Sequence, residues 1–414
     1  QLLEQGAVAH DRRDLVRKPG LGARFGGRRV AALHAAGDRR EWAEYQMNRP
    51  TAFDTRTVQS LADCARAHGV VGAGGGGYSL ADKLLARPYQ TLIINAAQSE
   101  PLICKDWAAL AQYGQCVLDG AKLLTDAFGL KKCFIAVREE FAPQLPDLPA
   151  AARKVGVIVA RLPDIYPLGY EKVLVREVLG IAPDSPAAQT VLVVNAETLR
   201  NLAWAVLRKH AVTNKLITVA GAVAKPISLS VPIGTPFTEC LALAGGATSA
   251  QFAVFHNGAL AGEAVDPAQS WVTATTLGYV VLPATHSVIT AAQAADVMSQ
   301  RLVERRHAFT ANVMTGRTQA MSAAYALYDL TSYRRARHVF QGVSASDVRS
   351  DLLNIVPVGR ARSFQPCVAV GEQVRRGQVV VLVDELPQPF DKPALFLLGR
   401  QDHEGAARLV GIRS

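Results

Sequence analysis

Residues 68–83 read His-Gly-Val-Val-Gly-Ala-Gly-Gly-Gly-Gly-Tyr-Ser-Leu-Ala-Asp-Lys, with five glycines among the six positions 72–77. A regular helix or strand is disfavoured there, because glycine loses the most backbone entropy on ordering and brings no side chain to pack. The run offers positive φ and close approach of backbone to a ligand, which a Cβ would prevent. A helix start follows: Ser79 is placed to cap it, and Asp82, three residues on, to complete a shortened capping box. A glycine loop feeding a helix N-terminus gathers free N–H groups and the positive end of the helix dipole, a setting for phosphate. Lys83 lies one turn into that helix. These residues point to a phosphorylated ligand, with a flexible hinge as the alternative.

The flanking pattern sets the fold class. Val58, Leu61, Ala62 and Ala65 recur at helical spacing, so a helix delivers the chain into the glycines. Beyond them the pattern predicts strands over 89–95, 133–137, 157–162 and 190–195, and helices over 107–127, 170–179 and 196–210. Such alternation predicts a parallel sheet covered on both faces, an α/β domain over 48–212. Near Leu216 it changes to short strands over 216–220 and 227–231, a Pro232-Ile233-Gly234-Thr235-Pro236 turn, and a helix over 237–244 stopped by Gly245-Gly246. This compact α+β unit is assigned to 213–285. Residues 286–350 read as a helical region whose basic residues over 301–337 form a solvated face. The strand-turn-strand pattern around Val370-Gly371-Glu372 and Gly377 reads as a small barrel over 351–390. Residues 1–47 read as a disordered or non-native extension, with Met47 as an alternative start, and 391–414 as a tail.

With 414 residues, more than one core is expected. A hydrophobic content of 49% with 19% charged residues is that of a soluble globular protein. No apolar run approaches the ~18 residues of a membrane span, and no signal pattern opens the sequence, so a cytoplasmic protein without a transmembrane segment is expected. The net charge of +10 comes from scattered arginines, with no basic face interleaved with aromatics, which argues against nucleic acid and leaves a mild attraction to anionic cofactors. None of the six cysteines forms a C-x-x-C, and the nine histidines are dispersed, so no metal-ligand set is assigned and reduced, buried thiols are expected.

The loop satisfies G-x-G-x-x-G at Gly72, Gly74 and Gly77, but a dinucleotide fingerprint needs a strand before it and an acid about twenty residues on. Here a helix precedes it and the next strand ends in Asn95. A P-loop fits less well, since Lys83 follows the last glycine by six residues.

In order along the chain stand the glycine loop with Tyr78 and Lys83, then Ile94-Asn95-Ala96-Ala97-Gln98-Ser99-Glu100-Pro101 with Asp106, then Tyr166-Pro167-Leu168-Gly169-Tyr170-Glu171-Lys172, then Asn195-Ala196-Glu197-Thr198-Leu199. This set resembles the RnfC/PduS-like family of electron-transport complex subunits and cobalamin reductases, which is similar to the NADH-binding FMN subunit of respiratory complex I. The Thr218–Gly221 and Val231–Pro236 segments with Gly245-Gly246 resemble its SLBB β-grasp module, and 366–381 its barrel-sandwich module. The resemblance implies a Rossmann-like parallel-sheet domain with an FMN-type glycine-rich loop, followed by those two modules.

It also implies roles. Gly72, Gly74, Gly75 and Gly77 with Lys83 would hold FMN through its phosphate and the electron-rich edge of the flavin, and Tyr78 would stack on nicotinamide. Asn95 and Asn195 would hydrogen-bond the flavin ring or ribityl chain, with Asp106 and Glu197 in the same cofactor-binding set. Thr198 would cap its helix beside the phosphate, and Glu100 and Glu171 would act on the nicotinamide side. The implied activity is NADH-dependent electron transfer through FMN to a redox partner protein, a membrane electron-transport complex, or a soluble acceptor such as cobalamin. The implied places are the cytoplasm, the periphery of the inner membrane, or a bacterial microcompartment. The sequence departs from the pattern at Gln98, where the family has a carboxylate, at Ser99, often cysteine, and at Ser79 and Leu80, where a proline and a hydroxyl residue follow the aromatic. Iron–sulfur clusters belong to the family, yet residues 286–350 contain no cysteine. A non-catalytic scaffold or assembly subunit of the same fold is therefore the second expectation.

Overall fold

The computed structural model describes residues 56–293, most of 318–340, the isolated positions Tyr45, Met47, Arg49, Arg301 and Glu304, and short strands beyond residue 360. In the first unit the chain runs through α1 (Val58–Ala67), the glycine loop, α2 (Leu80–Leu85), β1 (Thr91–Asn95), α3 (Lys105–Phe128), β2 (Lys132–Arg138), α4 (Leu148–Lys154) and β3 (Ile158–Leu162). It continues through β4 (Ile165–Tyr166), α5 (Glu171–Leu179), β5 (Val191–Asn195) and α6 (Ala196–Arg208). The strands β3-β2-β1-β5 form an all-parallel sheet in that order. Leu92, Ile93 and Ile94 of β1 are all buried, as a central strand covered on both faces requires. Successive side chains face opposite ways, so Leu92 and Ile94 pack with α1, α3 and α6, while Ile93 packs with Val173 and Leu174 of α5.

Two consequences position a site. The chain leaves β1 toward β2 on one side, whereas β5 lies on the other, and ligands of open α/β sheets collect at the carboxyl ends of strands where the order reverses. The register then pairs Asn95 with Asn195 at those two strand ends.

The second unit is a six-stranded mixed sheet, larger than the compact unit anticipated. Its elements up to residue 283 are β6 (Asn214–Gly221), β7 (Ile227–Pro232), α7 (Phe237–Leu243), β8 (Phe252–His256), β9 (Glu263–Val265) and β10 (Gly278–Pro283), and residues 339–340 add the sixth strand. β6 and β7 make an antiparallel hairpin, and β10 pairs parallel with β6 and antiparallel with β8.

The reading of 286–350 as a helical linker needs correction within the described residues. Helices α8 (Ser287–Gln293) and α9 (Met321–Leu327) are present, but so are β11 (Gln319–Ala320), which pairs with β4, and β12 (Val339–Phe340), which pairs with β7. Two-residue strands carry no readable period, so neither is visible in the sequence. The segment is also not a simple solvated basic face. The Arg335 guanidinium lies 5.5 Å from the Phe141 ring centre and 4.9 Å from that of Tyr325, and Met321 and Leu330 are fully buried. Tyr45, inside the stretch read as an extension, is 2% exposed and donates to Asp119 Oδ2 at 2.6 Å. In the anticipated barrel over 351–390, only an antiparallel pair of strands, Ala361–Pro366 with Val381–Glu385, falls among the described residues. The rest of that module, the remainder of 1–47 and most of 391–414 lie outside them.

Candidate functional site: a glycine-walled cleft between two units

The glycine loop is held at three points. Gly72 N–H donates to Tyr78 O at 2.7 Å, Leu80 N–H to Val70 O at 3.3 Å, and Ala73 N–H to Thr198 Oγ1 at 2.9 Å. Gly75 and Gly77 take φ of 102° and 63°, where side chains are strained, and a Cβ on Gly74 would run into the Asn195 amide. The bare backbone of Gly74–Gly76 thus forms one wall of a cleft of about 470 Å³. Asn95, Glu100, Asp106, Glu171 and Asn195 line it, as do Gln98 and Tyr170; Asn257, Ala261 and Leu277 of the second unit close it. A neighbouring cleft of about 170 Å³ shares Gly74, Gly76 and Asn195 and adds Gly72, Gly77, Tyr78, Lys83 and Thr198. A larger cavity of about 920 Å³, between Phe141, Lys225 and Arg335, touches none of the anticipated site residues.

Most of those residues are thus gathered at one place, though several act differently from what was expected. Ser79 Oγ accepts from Asp82 N–H at 3.2 Å as a cap should, but Asp82 pairs with Arg66 at 3.1 Å, leaving half of a capping box. Thr198 caps nothing, because it lies inside the first turn of α6 and its hydroxyl is taken by the glycine loop. The helix after the loop, α2, has only six residues, so loop N–H groups and Lys83 carry more of any anion binding than a dipole does. Lys83 Nζ sits 2.9 Å from Glu171 Oε2, and Tyr78 stands 53% exposed at the rim. Asn95 is fixed by donating from Nδ2 to Gly169 O at 2.8 Å and accepting from Ala97 N–H at 3.2 Å.

Asp106 and Glu197 belong to a buried ionic cluster that the sequence does not announce. Lys105 Nζ lies 3.0 Å from Asp106 Oδ2 and 2.9 Å from Glu197 Oε2, and Lys215 Nζ pairs with the same Glu197 oxygen. Burial alone would raise the Glu197 carboxyl, but the two ammonium groups outweigh it and hold it well below the usual range. Burial brings Lys215 below its usual range, against the pull of Glu197. Asp106 also accepts from Gln98 Nε2 at 2.7 Å, Asn195 Nδ2 at 3.3 Å and Glu197 N–H at 3.2 Å. Glu197 lines neither cleft; it is a counter-ion beneath the cleft floor. The available signals were faint: a lysine beside Asp106 at a helix start, and a lysine second in a largely apolar strand.

Glu100 bridges the units. Its carboxyl, 5% exposed, accepts from Leu260 N–H at 3.1 Å, Ala261 N–H at 3.3 Å and Tyr166 OH at 3.3 Å. Burial raises it to about 7, and those three donors limit the rise. The folded chain therefore binds this proton more tightly than the unfolded chain, where the carboxyl titrates near 4.5. Its stabilising contribution is complete below pH 4.5 and is lost as pH rises through 7. Glu100→Gln cannot titrate, so the stability of the natural protein relative to the variant should fall by up to about 3 kcal/mol across that window. Urea unfolding at a series of pH values measures this, and a flat difference would refute the assignment.

Among the described residues no group of three or more His, Cys, Asp or Glu could hold a metal ion, and no helix is long and apolar enough to cross a membrane. The described cysteines are free thiols; burial pushes Cys116 and Cys133 up to about 12, which leaves them inert.

Comparison with known proteins agrees with this architecture. Residues 65–204 match the Nuo51 FMN-binding domain and residues 216–255 the SLBB domain. Cobalamin reductase PduS of Citrobacter freundii is 35% identical over 246 residues, covering 58% of this chain and 52% of that protein. A subunit of the ion-translocating oxidoreductase complex of Pseudomonas aeruginosa is 30% identical over 220 residues, covering 51% of this chain and 28% of that protein. The chain spans about half the length of the PduS proteins it matches. Among solved structures, an NAD+-reducing [NiFe]-hydrogenase in the H2-reduced state matches with a TM-score of 0.48 and 23% identity, over 60% of this chain and 50% of that one. With both domains in sequence order and relatives of both names, this chain is a relative of cobalamin reductase PduS and of the RnfC-type subunits of ion-translocating oxidoreductases, with a Nuo51 FMN-binding domain followed by an SLBB domain.

Proposed function

We propose that this chain is an NADH-oxidising flavoprotein electron-transfer subunit that binds FMN in the glycine-walled cleft. The observation that carries the reading is the wall itself: backbone at Gly74–Gly76, with the Asn195 amide packed so closely on Gly74 that no Cβ fits there, in a cleft of about 470 Å³ that Asn95 and Glu100 also line. That volume and its few convergent polar groups suit a cofactor site, so the residues present fit the group. FMN, when bound, would accept a hydride from NADH and release electrons singly.

The chain's own residues have distinct tasks in this reading. The N–H groups of the glycine loop and the Lys83 ammonium hold the phosphate, with Glu171 orienting that ammonium. Asn95, held by hydrogen bonds with Gly169 and Ala97, and Asn195, held by one to Asp106, present amide groups to the flavin from adjacent strand ends. Tyr78 at the rim offers a face for nicotinamide. Glu100, raised to about 7, holds a proton beside the nicotinamide side and keeps the cleft less negative near neutral pH. Electrons would leave to a redox partner protein, a membrane complex or cobalamin.

A visible absorption spectrum of the purified protein tests the reading. Flavin bands that bleach on adding NADH support it, and a colourless protein that FMN cannot reconstitute would sink it. The second reading, a non-catalytic scaffold, is favoured by the absence of cysteine over 286–350 and predicts that colourless result. Lys83→Ala should weaken FMN binding about tenfold or more while circular dichroism stays unchanged. Undiminished flavin content in that variant would show that the phosphate lies elsewhere.

A further inference from the structure

The ionic cluster beneath the cleft joins the two units at one side chain. Lys215 belongs to β6, the first strand of the second unit, yet its ammonium is buried against Glu197 of α6 in the first. Its hydrogen-bond partners are Glu197 Oε2, the Leu216 carbonyl at 3.3 Å and the Ala73 carbonyl of the glycine loop at 3.5 Å. Glu197 is then clamped from three directions, by Lys215, by Lys105 Nζ at 2.9 Å, and by Leu216 N–H at 2.8 Å. A carboxylate so held fixes the first turn of α6. The next residue, Thr198, takes the Ala73 N–H, so the glycine loop rests on a turn whose position Lys215 helps set. The same cluster continues through Lys105 to Asp106, and from there to Asn195 and Gln98 on the cleft wall.

We propose that Lys215 is a positioning residue for the nucleotide cleft, through which the first strand of the second unit holds the glycine loop in its ligand-ready shape. The inference deepens the FMN reading and rests on it for the ligand. Lys215 lines neither cleft and acts through Glu197 and Ala73, without touching the ligand itself. Other contacts between the units at the cleft agree with this dependence: Leu277 backs Gly75, and Asn257 and Ala261 complete the far wall.

The test uses the whole chain with Lys215→Met, Lys215→Arg and the double variant Glu197→Gln with Lys215→Met, which removes one charge of each sign. Two measurements are made: FMN affinity by fluorescence titration, and amide hydrogen exchange of residues 72–77 in protein without flavin. Lys215→Met should weaken FMN about tenfold and speed exchange of the loop by a similar factor, with exchange in β2 unchanged. Lys215→Arg, which keeps the charge, should restore most of both. Should the single variant fail to fold, the charge-balanced double variant is expected to fold and to show the same loosened loop. Loop protection that survives in Lys215→Met or in the double variant would overturn the proposal, as would a loss of protection shared equally by β2. If the natural protein binds no FMN, the cofactor reading falls, and the exchange measurement still decides whether Lys215 holds the loop.

Discussion

Glu197→Leu is expected to cost about 3–5 kcal/mol of stability, the largest loss from any single polar substitution in the first unit. The reason is local accounting of charge. Lys105 and Lys215 are buried beside Glu197, and both rely on its Oε2 atom. Removing the carboxylate leaves two ammonium groups with Asp106 as their remaining close counter-ion, and neither can reach water without opening the junction between α6 and β6. A buried ion pair contributes little net stability when intact, but breaking one side leaves an uncompensated charge. Chemical denaturation measures the loss. A variant within about 0.5 kcal/mol of the natural protein, the range of an ordinary surface change, would show that the cluster is solvated and that the clamp on the glycine loop is weak.

Gly120→Ala should also be clearly destabilising, by a purely steric route. Gly120 lies mid-way along α3 where that helix crosses α6, and a Cβ there would sit 2.9 Å from the Leu199 carbonyl carbon and closer still to its oxygen. The obstacle is backbone, so no rotamer relieves it; α3 and α6 would have to part. Overpacking of this kind costs roughly 1–3 kcal/mol and occasionally more, and here separation also shifts Asn195 and Thr198 at the start of α6. The expected result is a lowered unfolding midpoint together with weaker FMN binding, whereas Ala on the exposed side of α3 should change neither. An unaltered midpoint in Gly120→Ala would show that the two helices have slack at their crossing.

How much of the fold and the cleft was legible in the sequence depended on the distance over which each feature is encoded. The glycine loop, the all-apolar run of β1 and the 24-residue α3 are local facts, and each appeared within a residue or two of its expected place. The convergence of Asn95 and Asn195 was implied only by the resemblance: alternation gives the strand ends, but not the strand order that makes β1 and β5 neighbours. The roles of Glu197 and Thr198 did not follow. A Glu and a Thr at a helix start look like caps in any sequence, and the partners that give them other roles stand 92 and 125 residues away. Asp82 failed as a capping partner for a similar reason, since Arg66 on the preceding helix competes for it. Glu100 does line the cleft, but its raised proton affinity comes from burial that the second unit completes, and no pattern in its own neighbourhood announces Leu260 and Ala261, which donate to it.

The short strand β12 has a meaning beyond connectivity. Without it, β7 would end the six-stranded sheet with Ser228 and Leu229 presenting unpaired backbone groups along an apolar strand. Open edges of that sort recruit other strands, including those of a second copy. By returning over residues 339–340 the chain pairs its own backbone with Ser228 and Leu229 and so covers that part of the edge. The stretch between the second unit and the C-terminal module is therefore also a guard, covering part of the β7 edge of that sheet.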